Sequence, residues 1–361
     1  MEEDLKYRYW LKSVPGIGNK KQKKLVEYCG SAKEAYRLTE KQLLSVFGIG
    51  KKDAAQIMES KKTWQLDGET EGLEQKGICM VSIEEERFPE KLKRISDGPY
   101  AIFYKGKLPA AEKTAAIVGA RNCTSYGRSM ALELGQCLAG QGIQVVSGMA
   151  AGIDSFGHWG AIKGGGRTFA VLGCGVDVCY PRGALELYDR ILNQGGIISE
   201  YLPGTKPAPG LFPMRNRLIS GLSDLVIVVE AKDKSGSLIT ADFALEQGKD
   251  IYAVPGRLDD TLSRGCNRLI SEGAGIILSP EEFLLDLGFS RVLGKQRSKN
   301  EKMVLEKGEL LVYSCFGLHG KTLEELVLHT GLPTGEVADL LVKLMMKGMV
   351  EEEFKNRYRK V

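Results

Sequence analysis

The sequence predicts an α/β protein: a parallel sheet covered by helices at the core, a helical domain before it and a small mixed domain after it. Three observations carry this. Between residues 113 and 288, short apolar runs alternate with helical stretches. The first 64 residues are helical in pattern and broken by two similar glycine turns. The last stretch reads helix, helix, hairpin. A chain of 361 residues exceeds the usual size of one domain, so a core with appendages is expected.

In residues 1–64 the turns are Val14-Pro15-Gly16-Ile17-Gly18, followed by Asn19-Lys20-Lys21, and Phe47-Gly48-Ile49-Gly50, followed by Lys51-Lys52. Their separation of 32 residues suggests a duplicated helix, hairpin, helix unit. Glycines flanking an isoleucine let backbone N–H groups point outward at the start of the next helix, where the dipole favours an anion. This region holds 14 Lys and Arg against 8 Asp and Glu, an excess larger than the net +4 of the whole chain. The turns resemble helix-hairpin-helix motifs of the SAM-like kind, which grip DNA phosphates; packed helical hairpins with solvated lysines are the alternative. Residues 65–112, ending in the apolar run Ala101-Ile102-Phe103-Tyr104, read as a connecting segment packed beside the sheet.

The strand candidates of the core, residues 113–288, are Ala115–Val118, Ile143–Val146, Thr168–Leu172, Gly196–Ser199, Leu225–Val229, Ile251–Val254 and Gly275–Leu278. Continuous apolar runs joined by helices imply strands buried on both faces, hence a Rossmann-like parallel sheet. Ligands of such sheets bind beyond the carboxyl ends of the strands, so the residues after each strand carry the functional argument.

After the first strand, Gly119 permits a tight turn, Thr124 or Ser125 can cap a helix, and Arg121 stands at the ligand edge, an anion site with a built-in cation. Arg121 occupies the place where a dinucleotide fingerprint needs its second glycine, and no cofactor is expected. The second strand leads into Ser147 and Gly148, small residues that allow close backbone approach, and then to Asp154 and His158, either an acid–base pair or a cap and a hydrogen-bonded histidine. Arg182 follows the third strand. Lys206 lies in the Pro- and Gly-rich loop at 203–210, which delivers Phe212, Arg215, Asn216 and Arg217. Two guanidinium groups, an amide and an aromatic ring on one short segment suit planar anion recognition beside a stacking surface. Ser235 and Ser237 open another helix after the fifth strand. If these turns share one edge, the cations line a positive groove, with Glu200, Asp224 and Glu230 as local competitors for individual arginines.

Residues 289–302 read as a basic, polar linker. In 303–361, Thr322-Leu323-Glu324-Glu325 offers a capping box, Thr334 can cap a further helix, and a small hairpin closes the chain, which is the order of a winged helix. Its presumed recognition helix sets Glu336 and Asp339 against Lys343 and Lys347, which favours docking a protein or closing a core over reading a groove.

Eight scattered cysteines suit reduced thiols, and Cys174 with Cys179 lacks the second pair a zinc site needs, so no metal is expected. No apolar run approaches the roughly 20 residues that span a bilayer, and the acidic start lacks a signal core, so a cytoplasmic protein without membrane contact is expected.

The residues Gly119 to Gly127, Ser147 to Asp154 with His158, Tyr180-Pro181, Phe212 to Arg217 and Ser235 to Ser237 together resemble the DNA-processing protein A (DprA/Smf) family. The resemblance spans the central domain in order and through several separate motifs. It implies a non-enzymatic protein that binds single-stranded DNA during natural transformation, protects it, and loads the RecA recombinase, as a homodimer formed through the Rossmann-like domains. By motif, Arg121 and the Arg215 segment would hold phosphates and Phe212 would contact a base. Arg182 stands where a lysine is frequent, which keeps the charge and alters its geometry. The other reading is a nucleotide phosphoribohydrolase-type enzyme, attractive for the Ser235 to Ser237 helix start but lacking that class's Pro-Gly-Gly-x-Gly-Thr run and following Glu.

Overall fold

All seven apolar runs of the core form strands, and they assemble into a sheet whose order reverses at its centre. The computed structural model describes residues 2–66, 68–110, 112–289, 305–316, 320–347, 349–354 and 356–360. Its two compact units are Met1–Arg291 and Val292–Val361. Of the expected linker, all but Phe289 lies outside the described residues.

The first unit begins with helices α1 (Glu2–Ser13), α2 (Asn19–Cys29), α3 (Ala32–Arg37), α4 (Glu40–Leu43), α5 (Lys51–Thr63) and α6 (Gly68–Gln75). Strand β1 (Cys79–Ser82), helix α7 (Glu90–Lys93) and strand β2 (Ala101–Gly106) follow. The alternating core is β3 (Thr114–Val118), α8 (Ser125–Gly140), β4 (Gln144–Ser147), α9 (Ile153–Lys163), β5 (Thr168–Val171), α10 (Leu185–Gln194) and β6 (Gly196–Ser199). It continues with α11 (Leu211–Leu222), β7 (Leu225–Val228), α12 (Gly236–Glu246), β8 (Asp250–Ala253), α13 (Arg264–Ser271), β9 (Gly275–Ile276) and α14 (Pro280–Asp286).

The nine strands run β1-β2-β6-β5-β4-β3-β7-β8-β9. Pairings from β6 across to β9 are parallel, whereas β1 with β2 and β2 with β6 are antiparallel. The segment expected to pack beside the sheet therefore joins it as two strands and makes it mixed. Its physical role is to cover the β6 edge, which would otherwise expose a row of unpaired backbone groups.

The alternation of side chains along each strand divides the core. Ala115 and Ile117 of β3 pack with Leu134 of α8 and Ile153 of α9, while Ala116 and Val118 face Leu218 of α11 and Leu238 of α12. The N-terminal helices supply Trp10, Leu25 and Ile57 to a third cluster with Phe103 of β2, Ile197 of β6 and Ile191 of α10. They cover the sheet where β1 and β2 bring no long helix of their own, which makes them one layer of this unit.

The second unit is α15 (Lys307–Cys315), β10 (Lys321–Thr322), α16 (Leu323–Thr330), α17 (Thr334–Met346), β11 (Val350–Phe354) and β12 (Arg357–Lys360). Its antiparallel sheet runs β10-β12-β11, the order of a winged helix, over a core of Val312, Leu326, Val337, Leu341, Leu344 and Val350. Thr322 and Glu325 form the expected capping box. Thr334 is already helical, and Pro333 holds the N-cap position expected for it, where its fixed φ suits entry into the helix. Among the described residues no helix is long and apolar enough to cross a membrane.

Candidate functional site

The chain runs outward from β3 to β6 and returns to β7 on the other side of β3, so the loops after β3 and β7 part from each other and leave a crevice. A cleft of about 440 Å³ opens there, walled by Gly119, Arg121, Ala150, Phe212, Arg215 and Ser237. A smaller recess of about 80 Å³ adjoins it between Gly148, Cys174, Tyr180 and Phe212. Gly152 brings the loops after β3 and β4 together: its φ is +80°, and a Cβ there would lie 2.3 Å from the Ala120 carbonyl oxygen.

At the lip, Arg121 is exposed and its guanidinium lies 5.6 Å from the Phe212 ring centroid. Tyr180 stacks on the same ring at 5.2 Å and 29°. Among the described residues Arg121 has no carboxylate partner, which leaves a cation and two aromatic rings facing the cleft.

Deeper in, Arg215 is 4% exposed. Its Nη1 donates to the Gly148 carbonyl at 2.8 Å and to the Val171 carbonyl, while Nε has no partner. Gly148 has no side chain because a Cβ would sit 2.6 Å from this guanidinium. Asp154 supplies the opposing charge and accepts from the Gly148 N–H at 3.1 Å. Burial pushes the Asp154 carboxyl up, and Arg215 with backbone N–H groups works against that rise. Asn216 Nδ2 donates to the Gly236 carbonyl at 3.0 Å, fastening α11 to the start of α12. Ser235 caps that helix, and its Oγ lies 2.7 Å from Ser237 Oγ.

Several expected site residues stand elsewhere. Arg217 is turned away from the cleft and lies 2.6 Å from Glu200 and 3.0 Å from Asp97, because residues two apart on a helix face different sides. Ser147 is buried in the sheet and donates to the Ile117 carbonyl at 2.5 Å, so it offers the cleft no hydroxyl. Arg182 and Lys206 are exposed but wall neither cavity. The start of α8, expected as an anion site, is occupied by the protein's own Glu230, which accepts from the Thr124 N–H at 2.9 Å and from its hydroxyl.

The other candidates also resolve into internal contacts. His158 is fully buried with Nδ1 2.6 Å from Thr168 Oγ1, and burial holds its pKa down at about 3, so it forms no acid–base pair with Asp154. At the second glycine turn, Asp53 accepts from the Gly50 N–H at 2.9 Å and pairs with Lys21 at 2.6 Å, so one N–H group of this turn and one lysine after the first turn are engaged internally. Among the described residues no group of three or more His, Cys, Asp or Glu is arranged to hold a metal. Sequence reasoning missed the Tyr180 ring as the partner of Phe212 and Asp154 as the counter-charge of Arg215; both pairings are long-range and leave no local signal.

The sheet order and the cleft at its switch point define a Rossmann-like α/β protein with its ligand edge at the strand ends. The chain belongs to the DNA recombination-mediator protein A family, whose model matches residues 79–288, while residues 11–62 match a SAM-like helix-hairpin-helix tandem. DNA processing protein DprA of Streptococcus pneumoniae is 37% identical over 78% of this chain and 98% of its own length. Protein Smf of Synechocystis is 31% identical over 98% of each. The crystal structure of the pneumococcal protein superimposes with a TM-score of 0.70 over 79% of this chain and 99% of that one, at 36% identity. DNA processing protein A of Helicobacter pylori, a structure concerned with single-stranded DNA binding, gives a TM-score of 0.53 over 58% of this chain and 95% of its own, at 30% identity.

Proposed function

We propose that the protein binds single-stranded DNA in this cleft without altering it chemically, protects the strand, and presents it to the RecA recombinase during natural transformation. The observation that carries the proposal is the exposed Arg121 over the ring of Phe212, which stacks with Tyr180, in one cleft with the buried Arg215. A cleft of about 440 Å³ is large enough for an unstacked base. A duplex keeps its bases inside, so an aromatic-walled recess favours a single strand. Arg121 would meet phosphates, and the start of α12 at Ser235 and Ser237 would add backbone donors, while Arg182 and Lys206, exposed outside the cleft, are left to the strand's flanks. The Helicobacter relative supports the ligand class. Asp154, the carboxylate in the wall, is engaged by Gly148 and Arg215, which favours binding over base-release chemistry.

The protein would act as a homodimer. One outer strand of the sheet is β9, where Ile276 is 43% exposed and Leu278, two residues past it, 69%, with Leu245 of α12 and Leu285 of α14 also exposed. A second copy is the natural cover for such an edge.

Fluorescence anisotropy with a labelled single strand tests the cleft. Arg121→Ala is expected to weaken binding to mixed sequences and to flatten the slope of log affinity against log salt by about 0.7. Unchanged affinity and slope in a folded variant contradict the assignment, and release of free base from nucleoside monophosphates would favour the phosphoribohydrolase reading.

A further inference from the structure

The glycines of the first turn are exposed, but Asn19 directly after them points into the molecule, and its contacts lead to the helix that walls the cleft. Asn19 is the first residue of α2, directly after Gly18. Its Oδ1 accepts from Lys12 Nζ at 3.0 Å and from the Tyr100 N–H at 3.2 Å, and its Nδ2 donates to Glu200 Oε2 at 3.2 Å. The same Glu200 oxygen accepts from Arg217 Nη2 at 2.6 Å, and Arg217 Nε lies 3.0 Å from Asp97. Glu200 and Arg217 are 7% and 3% exposed, so these contacts operate away from water.

Arg217 belongs to α11, whose other face carries Phe212, Arg215 and Asn216. A helix held by a buried ion pair on one side has its rotation fixed on the other, and cleft geometry is sensitive to small misplacements. We propose that Asn19 is a positioning residue for the cleft: it orients Glu200, Glu200 fixes Arg217, and Arg217 sets the rotation of α11. The N-terminal helical layer thereby governs how Phe212 and Arg215 are presented, through contacts that never touch the ligand. Lys12 completes the arrangement by fixing which end of the Asn19 amide faces Glu200.

This inference rests on the single-strand reading, and its test separates the two. In the full chain, Asn19→Ala and, independently, Lys12→Met would be compared with the unmodified protein by hydrogen exchange of Leu211–Leu222 and by binding of a labelled oligothymidine across a salt series. Faster exchange confined to α11 is expected, with affinity about five- to tenfold weaker and the salt slope unchanged, since no phosphate contact is lost. General destabilisation would instead raise exchange across the sheet and leave affinity intact well below the melting temperature. Unchanged α11 exchange in both variants overturns the clamp, and unchanged affinity despite a loosened α11 overturns the positioning role. Failure of the unmodified protein to bind any single strand overturns the DNA reading and this proposal with it.

Discussion

Arg217 and Glu200 form a buried ion pair at 2.6 Å, on the side of α11 that faces away from the cleft. Two residues earlier, Arg215 reaches in a different direction to the Gly148 and Val171 carbonyls. One helix thus carries a structural arginine and a cleft arginine side by side in sequence.

Removing one member of the buried pair leaves the other charge uncompensated, at a cost of about 3–5 kcal/mol. Glu200→Ala and Arg217→Ala are each expected to lower the denaturant midpoint by a corresponding amount. The double replacement Arg217→Met with Glu200→Leu is expected to recover much of that loss. Equal midpoints for the single variants and the unmodified protein contradict a structural role for the pair.

At Gly148 the constraint is space. A methyl group 2.6 Å from a buried guanidinium must displace it from its two carbonyl acceptors. Gly148→Ala is expected to cost about 1–3 kcal/mol as overpacking and to weaken single-strand binding as well. A thermal melt and an anisotropy titration on the same preparation check both.

His158 sets an acid limit on stability. Burial keeps the folded histidine neutral down to a pKa of about 3, whereas in the unfolded chain it takes up a proton near 6.5. Its contribution is complete above pH 6.5 and is lost progressively as pH falls from 6.5 towards 3, to a total of up to roughly 5 kcal/mol. Urea titrations over this range are expected to show a shallower acid decline for His158→Gln than for the unmodified protein. Parallel declines would mean that other groups control the acid limb.

The β9 edge makes a separate claim about assembly. Ile276→Asp and Leu278→Asp place charges on an exposed apolar edge and are expected to shift the protein from dimer to monomer at equal concentration in sedimentation. A dimer that persists in both variants locates the interface elsewhere.

The parallel strands were legible because a strand buried on both faces must be apolar throughout, and runs such as Leu225–Val228 can be little else. Strand β1 was not, because its four residues gain their identity only by pairing with β2, whose other neighbour is β6, far along the chain. Phe212 and Arg215 were named from composition of the segment, and the structure brings them together with Arg121 in one cleft. Composition of the segment leaves open which of Arg215 and Arg217 faces a ligand and which orients the segment. Once Leu211–Leu222 is a helix, positions 215 and 217 cannot share a face. The surroundings of Ser147 and of the α8 start are illegible for a related reason: Ile117 of β3 and Glu230, two residues past β7, occupy them, and neither is a neighbour in sequence.

The central claim is a cleft that takes an unstacked base beside an arginine-held phosphate, and competition between single-stranded and double-stranded DNA of equal length, titrated across a salt series, tests it most directly. Strong preference for the single strand is expected at every salt concentration, with affinity falling as salt rises. Equal or tighter binding of the duplex, or no binding of either at low salt, contradicts the cleft as the site of single-strand recognition.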